Sequence, residues 1–158
     1  MFKKILFSVS LAIFSFSSIA QDDNPSPHHF GVSAGLTTGF GISYRYWPSK
    51  FGLQITALPT VIQNNGSVTS FGASVLYMLK DKEKLDLYGY FGNSILYIKG
   101  SNNNNSNLTY NTGLGLGVKF KIFDELNINT QVGYGGLDLS NGSPIFSIVG
   151  EIGLYYHL

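Results

Sequence analysis

The chain has 158 residues, a net charge of +1, no cysteine, 12% charged residues, 15% aromatic residues and 19 glycines. A soluble domain usually carries about twice that share of charge. The absence of cysteine excludes a disulfide framework, and the absence of a polybasic patch argues against nucleic acid as a partner.

Residues 1–20 read as a secretory signal peptide. Lys3 and Lys4 are its basic end, Ile5 to Phe16 an apolar core interrupted only by serines, and Ser18-Ile19-Ala20 a small-x-small cleavage site before Gln21. The apolar run is short for a membrane anchor. Cleavage leaves residues 21–158, enough for one domain, and loses two lysines, so the net charge falls from +1 to about −1. Gln21 to Pro27 is a polar lead-in with two prolines.

From there the chain alternates between apolar and polar residues, the period of a β-strand with two unlike faces. The first strand begins at His29 or Phe30, with Phe30, Val32, Ala34 and Leu36 on one face, and ends at the turn signal Thr37-Thr38-Gly39. The second, Phe40 to Trp47, sets Phe40, Ile42, Tyr44 and Tyr46 opposite Gly41, Ser43 and Arg45. Pro48 ends it, because proline cannot donate to a ladder. The third, Phe51 to Ile62, places Leu53, Ile55, Ala57 and Val61 opposite Gln54, Thr56 and Thr60, with a bulge expected at Pro59. A loop at Gln63 to Gly66 leads to the fourth, Val68 to Lys80, and a charged turn follows at Asp81 to Lys84.

The fifth strand, Leu85 to Lys99, has Tyr88, Tyr90 and Leu96 on the face opposite Leu85, Leu87, Phe91 and Ile95. Gly100 to Asn107 is a polar, low-complexity loop. The sixth strand pits Tyr110, Leu114, Leu116, Val118 and Phe120 against Asn111, Gly113, Gly115, Gly117, Lys119 and Lys121, with a turn at Ile122 to Asp124. The seventh pits Leu126, Ile128, Val132 and Tyr134 against Asn127, Asn129, Gln131, Gly133 and Gly135. A loop from Gly136 to Ser143 leads to the last, Pro144 to Leu158, where Phe146, Ile148, Ile152, Leu154, Tyr156 and Leu158 oppose Ser147, Glu151, Gly153 and His157. Eight strands joined as hairpins put both termini on one side. The connections after the even strands are tight, and most of those after the third, fifth and seventh are longer, the asymmetry of outer-membrane barrels.

Alternation alone does not say which face points inward. A soluble lipocalin-like barrel, apolar inside, has the same period. The polar face here carries Gly, Ser, Thr, Asn and Gln rather than the Lys and Glu of a solvated surface. Glycine makes room in a narrow interior, into which Tyr88, Tyr90 and Arg45 reach. Tyr44, Tyr46, Trp47, Tyr77, Tyr97, Tyr110, Tyr134 and Tyr156 are expected to supply interfacial girdles. The expected fold is therefore an all-β, eight-stranded antiparallel up-and-down transmembrane β-barrel, which satisfies every backbone group without an edge.

The last strand also resembles the C-terminal assembly signal of bacterial outer-membrane barrels, with Glu151, Gly153, Tyr156 and Leu158 at its positions, although the usual ending is aromatic. With the signal peptide and the eight alternating segments, the chain is similar to the small outer-membrane β-barrel proteins of Gram-negative bacteria. The resemblance implies the cell outer membrane as location. It implies outer-membrane lipid and lipopolysaccharide as surroundings, and the barrel-assembly machinery as a partner during insertion. It does not fix a function, because that fold hosts porin-like, adhesive, enzymatic and structural members.

Chemistry is sparse. Lipid A-modifying barrels need a base beside a nucleophile at the outer face. His28, His29 and His157 all fall at the opposite, periplasmic end. His28-His29 point apart on a strand and have no third ligand at suitable spacing, so they read as an exposed terminal pair. Gly113-x-Gly115-x-Gly117 lies inside a strand and opens no helix, so it is not a phosphate loop. Eight strands leave no open pore, so Arg45, Lys119, Gln131 and Glu151 are expected to form an internal polar network, with Arg45 paired to Glu151. No catalytic, metal or cofactor-binding residue is assigned. The expected function is a small non-enzymatic outer-membrane barrel, structural or interacting through short outer loops. The alternative is a soluble periplasmic or secreted lipocalin-like barrel with an apolar ligand.

Overall fold

A segment whose side chains alternate in character needs a sheet with two unlike sides, and a sheet with no free edge must close on itself. The computed structural model describes residues 26–63, 66–100, 106–140 and 143–158. The expected signal peptide at 1–20 lies outside these residues. The alternating segments form β1 (His28–Gly35), β2 (Gly39–Tyr46), β3 (Phe51–Gln63), β4 (Gly66–Lys80), β5 (Leu85–Lys99), β6 (Ser106–Lys121), β7 (Leu126–Leu137) and β8 (Ile145–His157). Each strand pairs antiparallel with the next, and β8 pairs with β1 to close an up-and-down barrel.

Strand ends differ from the expectation where a neighbour keeps offering backbone partners. Ser106 and Asn107 pair with Lys99 and Ile98, and Gly136 and Leu137 pair with Phe146 and Ile145, so all four belong to strands rather than loops. For the same reason the β3–β4 connection shrinks to residues 64–65. Polar side chains do not stop a ladder; only the backbone does. Pro59, which has no N–H to give, falls where the β3–β4 register shifts between Leu58 and Val61.

The register also sets the tilt. From Ile42, pairing through Ala57, Phe71 and Ile95 reaches Tyr110 in β6. The other way round, through Val32, Leu154 and Ile128, it reaches Phe120. That ten-residue stagger is the offset that inclines the strands of a closed barrel to its axis.

The apolar face points outward. Leu114 is 63% exposed and Val132 59%, while Gln131, their polar-face neighbour, is 5% exposed. In a lipocalin-like barrel these two apolar side chains would be core. The soluble alternative therefore does not describe this molecule. Trp47 departs from the girdle expected for it: it is buried on the lumenal side, because it shares parity with Ser43 and Arg45 rather than with Tyr44 and Tyr46.

The wall is not of even height. β1 and β2 have 8 residues each, whereas β4 and β5 have 15 and β6 has 16. The turn joining β1 to β2 does not continue up the wall. It bends inward, so that Thr37 and Thr38 are 2% and 1% exposed. Gly39 and Gly41, with φ of 82° and 130°, make the bend possible.

Candidate functional site

Lumenal parity brings polar side chains from most strands into one narrow interior. At its centre is Arg45 of β2, 1% exposed. Its Nη2 donates to Glu151 Oε1 of β8 at 3.1 Å. Its Nε donates to Gln54 Oε1 at 2.7 Å, and Nη1 to Asn129 Oδ1 at 2.7 Å and Tyr88 Oη at 3.5 Å. The guanidinium also lies 4.0 Å from the centroid of the Tyr155 ring. Glu151 is equally engaged. It accepts from Gln54 Nε2 at 3.3 Å, from Gln131 Nε2 at 3.1 Å, and from the Thr38 hydroxyl. A charge taken out of water must be paired and hydrogen-bonded on all sides, and this pair is.

The expected Arg45–Glu151 pair is thus present, with Gln131 joined to it. Lys119 is not part of it. Its Nζ lies 2.5 Å from Asp86 Oδ2, nearer the end of the barrel that carries the termini, and 5.6 Å from the Trp47 ring. Register decides this: Lys119 is the direct partner of Asp86 on β5, whereas Glu151 is level, through Gln131, with Gly117, two residues along β6 from Lys119. In the turn after β4, the Asp81 carboxyl is raised above the usual carboxylate range, first by its hydrogen bond with Asp86 and then by burial.

The three histidines gather at that same end. His28 faces outward, with Nδ1 2.6 Å from Tyr44 Oη. His29 is not the exposed residue expected of a terminal pair. It is 7% exposed, facing inward and stacked on His157 with ring centroids 4.4 Å apart. His157 Nε2 in turn meets the Ser26 carbonyl oxygen. Closure supplies this burial, since His29 and His157 are direct partners across the β1–β8 seam. With Trp47, Asp86 and Lys119 they line a cavity of about 670 Å³ open at this end. No three metal-ligating side chains converge among the described residues.

Toward the opposite end the lumen is filled differently. Ser94 Oγ and Asn111 Nδ2 donate to the Leu36 carbonyl at 2.6 and 3.0 Å, holding the β1–β2 turn inside. Four further residues are central to the lumen. Tyr155 and Asp86 share parity with Glu151 and Tyr88 and are legible on that ground. Thr37 and Thr38 carry no such signal, because a turn has no parity.

A closed barrel with an apolar outer band and a lumen packed by polar side chains is the architecture of a protein that crosses a bilayer with strands. No protein-family model matches the sequence, and no curated protein matches it. Among solved structures, the chain is similar to the N-terminal β-barrel domain of Pseudomonas aeruginosa OprF, with a TM-score of 0.56 and 12% identity over 85% of this chain and 100% of that one. It is also similar to Neisserial surface protein A, with a TM-score of 0.48 and 12% identity over 86% and 100%. A third is Ail, the attachment invasion locus protein of Yersinia pestis, with a TM-score of 0.43 and 14% identity over 84% and 99%. The fold is that of the small eight-stranded outer-membrane β-barrels.

Proposed function

We propose that the protein is a small, non-enzymatic barrel of the Gram-negative outer membrane, acting as a structural or interaction protein through short outer loops. The observation that carries this reading is the inversion of faces: apolar side chains outside, a buried Arg45–Glu151 ion pair inside. In this orientation the end with His29 and His157 is periplasmic, and residues 100–105 and 138–144 connect strands at the outer face. The outward strands meet lipid and lipopolysaccharide. The C-terminal Glu151, Gly153, Tyr156 and Leu158 address the barrel-assembly machinery during insertion. The three histidines lie far from the outer leaflet, which supports a role without acyl or glycolipid chemistry.

The test is a lipid-soluble quencher or spin label at Val132 and Gln131, adjacent residues on opposite faces. Quenching from the acyl chains at position 132 and not at 131 is expected. Shielding of position 132 in the folded protein would remove the membrane reading. A pull-down from native envelopes, with and without residues 100–107 and 136–143, separates the two roles: a partner lost on loop deletion marks an interaction protein.

A further inference from the structure

The β1–β2 turn does more than join two strands. Its inward bend takes it across the lumen to the far wall, where glycines of four strands meet it. A Cβ at Gly92 of β5 would lie 2.9 Å from both the Thr37 carbonyl oxygen and Thr38 Cγ2. One at Gly113 of β6 would lie 2.8 Å from Thr37 Cγ2, and one at Gly135 of β7 2.9 Å from the same atom. One at Gly72 of β4 would collide with the Thr38 backbone. Contacts closer than 3 Å leave no space for a side chain. These glycines are therefore a socket shaped to one occupant. The Leu36 carbonyl is held by Ser94 and Asn111, and the Phe40 amide donates to Ser70 Oγ at 3.2 Å. The bend has a consequence for the wall: among the described residues the loop-side part of β8, before Glu151, pairs with β7 alone, and β3 beyond Ala57 with β4 alone, each with no strand partner on the side the hairpin has left.

We infer that the β1–β2 turn is a built-in stopper, which closes the lumen from the loop end and shields the Arg45–Glu151 layer from solutes on that side. Thr38 couples it to that layer, since its hydroxyl donates to Glu151. The stopper is the outer-end turn of the first hairpin itself, bent inward between β1 and β2. This inference concerns access to the lumen and does not depend on which membrane or partner the outer surface meets.

The protein has no cysteine, so introduced thiols report without background. Ser74 is the natural reporter position. It is 5% exposed, its Oγ has no hydrogen-bond partner among the described residues, and it lies 2.9 Å from the same Gly92 Cβ position that meets the turn. In nanodiscs, Ser74→Cys should react with a bulky, charged maleimide at least about tenfold more slowly than the same cysteine in a Gly113→Val background, because the added carbons unseat Thr37 and open the lumen. Adding Thr37→Gly to that background removes the clash and should restore protection. Equal rates in a folded Gly113→Val variant would overturn the stopper. If Gly113→Val does not fold, a second measurement decides. Thr37 Cβ lies 3.2 Å from the Cβ position of Gly113, a few tenths of an ångström short of the usual disulfide separation of about 3.5–4.5 Å and within reach of a small backbone adjustment. Thr37→Cys with Gly113→Cys should therefore oxidise to a disulfide in the folded barrel under diamide. Persistence of two free thiols there would likewise overturn it.

Discussion

The two halves of this lumen are filled by opposite means. Toward the termini the filling is side chain: Arg45, Tyr88, Tyr155, Gln54 and Asn129 pack into one layer, with small residues such as Gly115 and Gly117 making room beside the tyrosines. Toward the loops it is a turn: Thr37 and Thr38 lie against Gly72, Gly92, Gly113 and Gly135. The same residue type, glycine on the lumenal face, serves both halves. In one it accommodates aromatic rings projecting from the next strand, and in the other a turn arriving from across the barrel. Glycine on a strand face therefore signals that something large comes close, but not what.

The largest effect of a substitution is expected in the side-chain half. Arg45→Met leaves Glu151 buried without its cation, an arrangement that costs about 3–5 kcal/mol. Reversible denaturation in lipid should show that loss, and Arg45→Met with Glu151→Gln should recover most of it. A single variant as stable as the parent would mean that the layer is not held by charge.

The outer band is next. Val132→Arg places a charge among acyl chains at about 2–4 kcal/mol near the midplane, whereas Gln131→Arg remains among polar groups. The urea midpoint in lipid should fall further for the first, and a reversed order would invert the assignment of faces.

The link between the two halves should have a smaller effect. Thr38→Ala removes one hydrogen bond to a buried carboxylate, which is expected to lower stability by about 1.5–3 kcal/mol. Because Thr38 and Arg45 both serve Glu151, the loss should shrink when Glu151 is already Gln, and a double-mutant cycle measures that coupling. Strict additivity would show the halves to be independent.

The smallest effect is expected at Ser74, whose hydroxyl is buried without a partner. Ser74→Ala should be neutral or stabilising by up to about 1 kcal/mol, since it removes a group that gains nothing from burial. A clear destabilisation on thermal or chemical melting would show that this hydroxyl is engaged after all.

Everything that depends on parity is legible in the order of the residues. Alternation defined eight strands, the scarcity of Lys and Glu on the polar face turned that face inward, and a charge of each sign on that face, Arg45 and Glu151, had to find the other. These are local facts, because a strand sends successive side chains to opposite sides wherever it sits. Trp47 could be read the same way, since its parity is that of Arg45. The remaining features depend on closure of the barrel. The register between neighbouring strands sets which lumenal residues are level, and so gives Lys119 to Asp86 rather than to Glu151. The β1–β8 seam buries His29 against His157, although both lie at strand ends. The β1–β2 turn has no parity to read, and its place inside the barrel follows from a space that exists only once β4, β5, β6 and β7 have come round to form it.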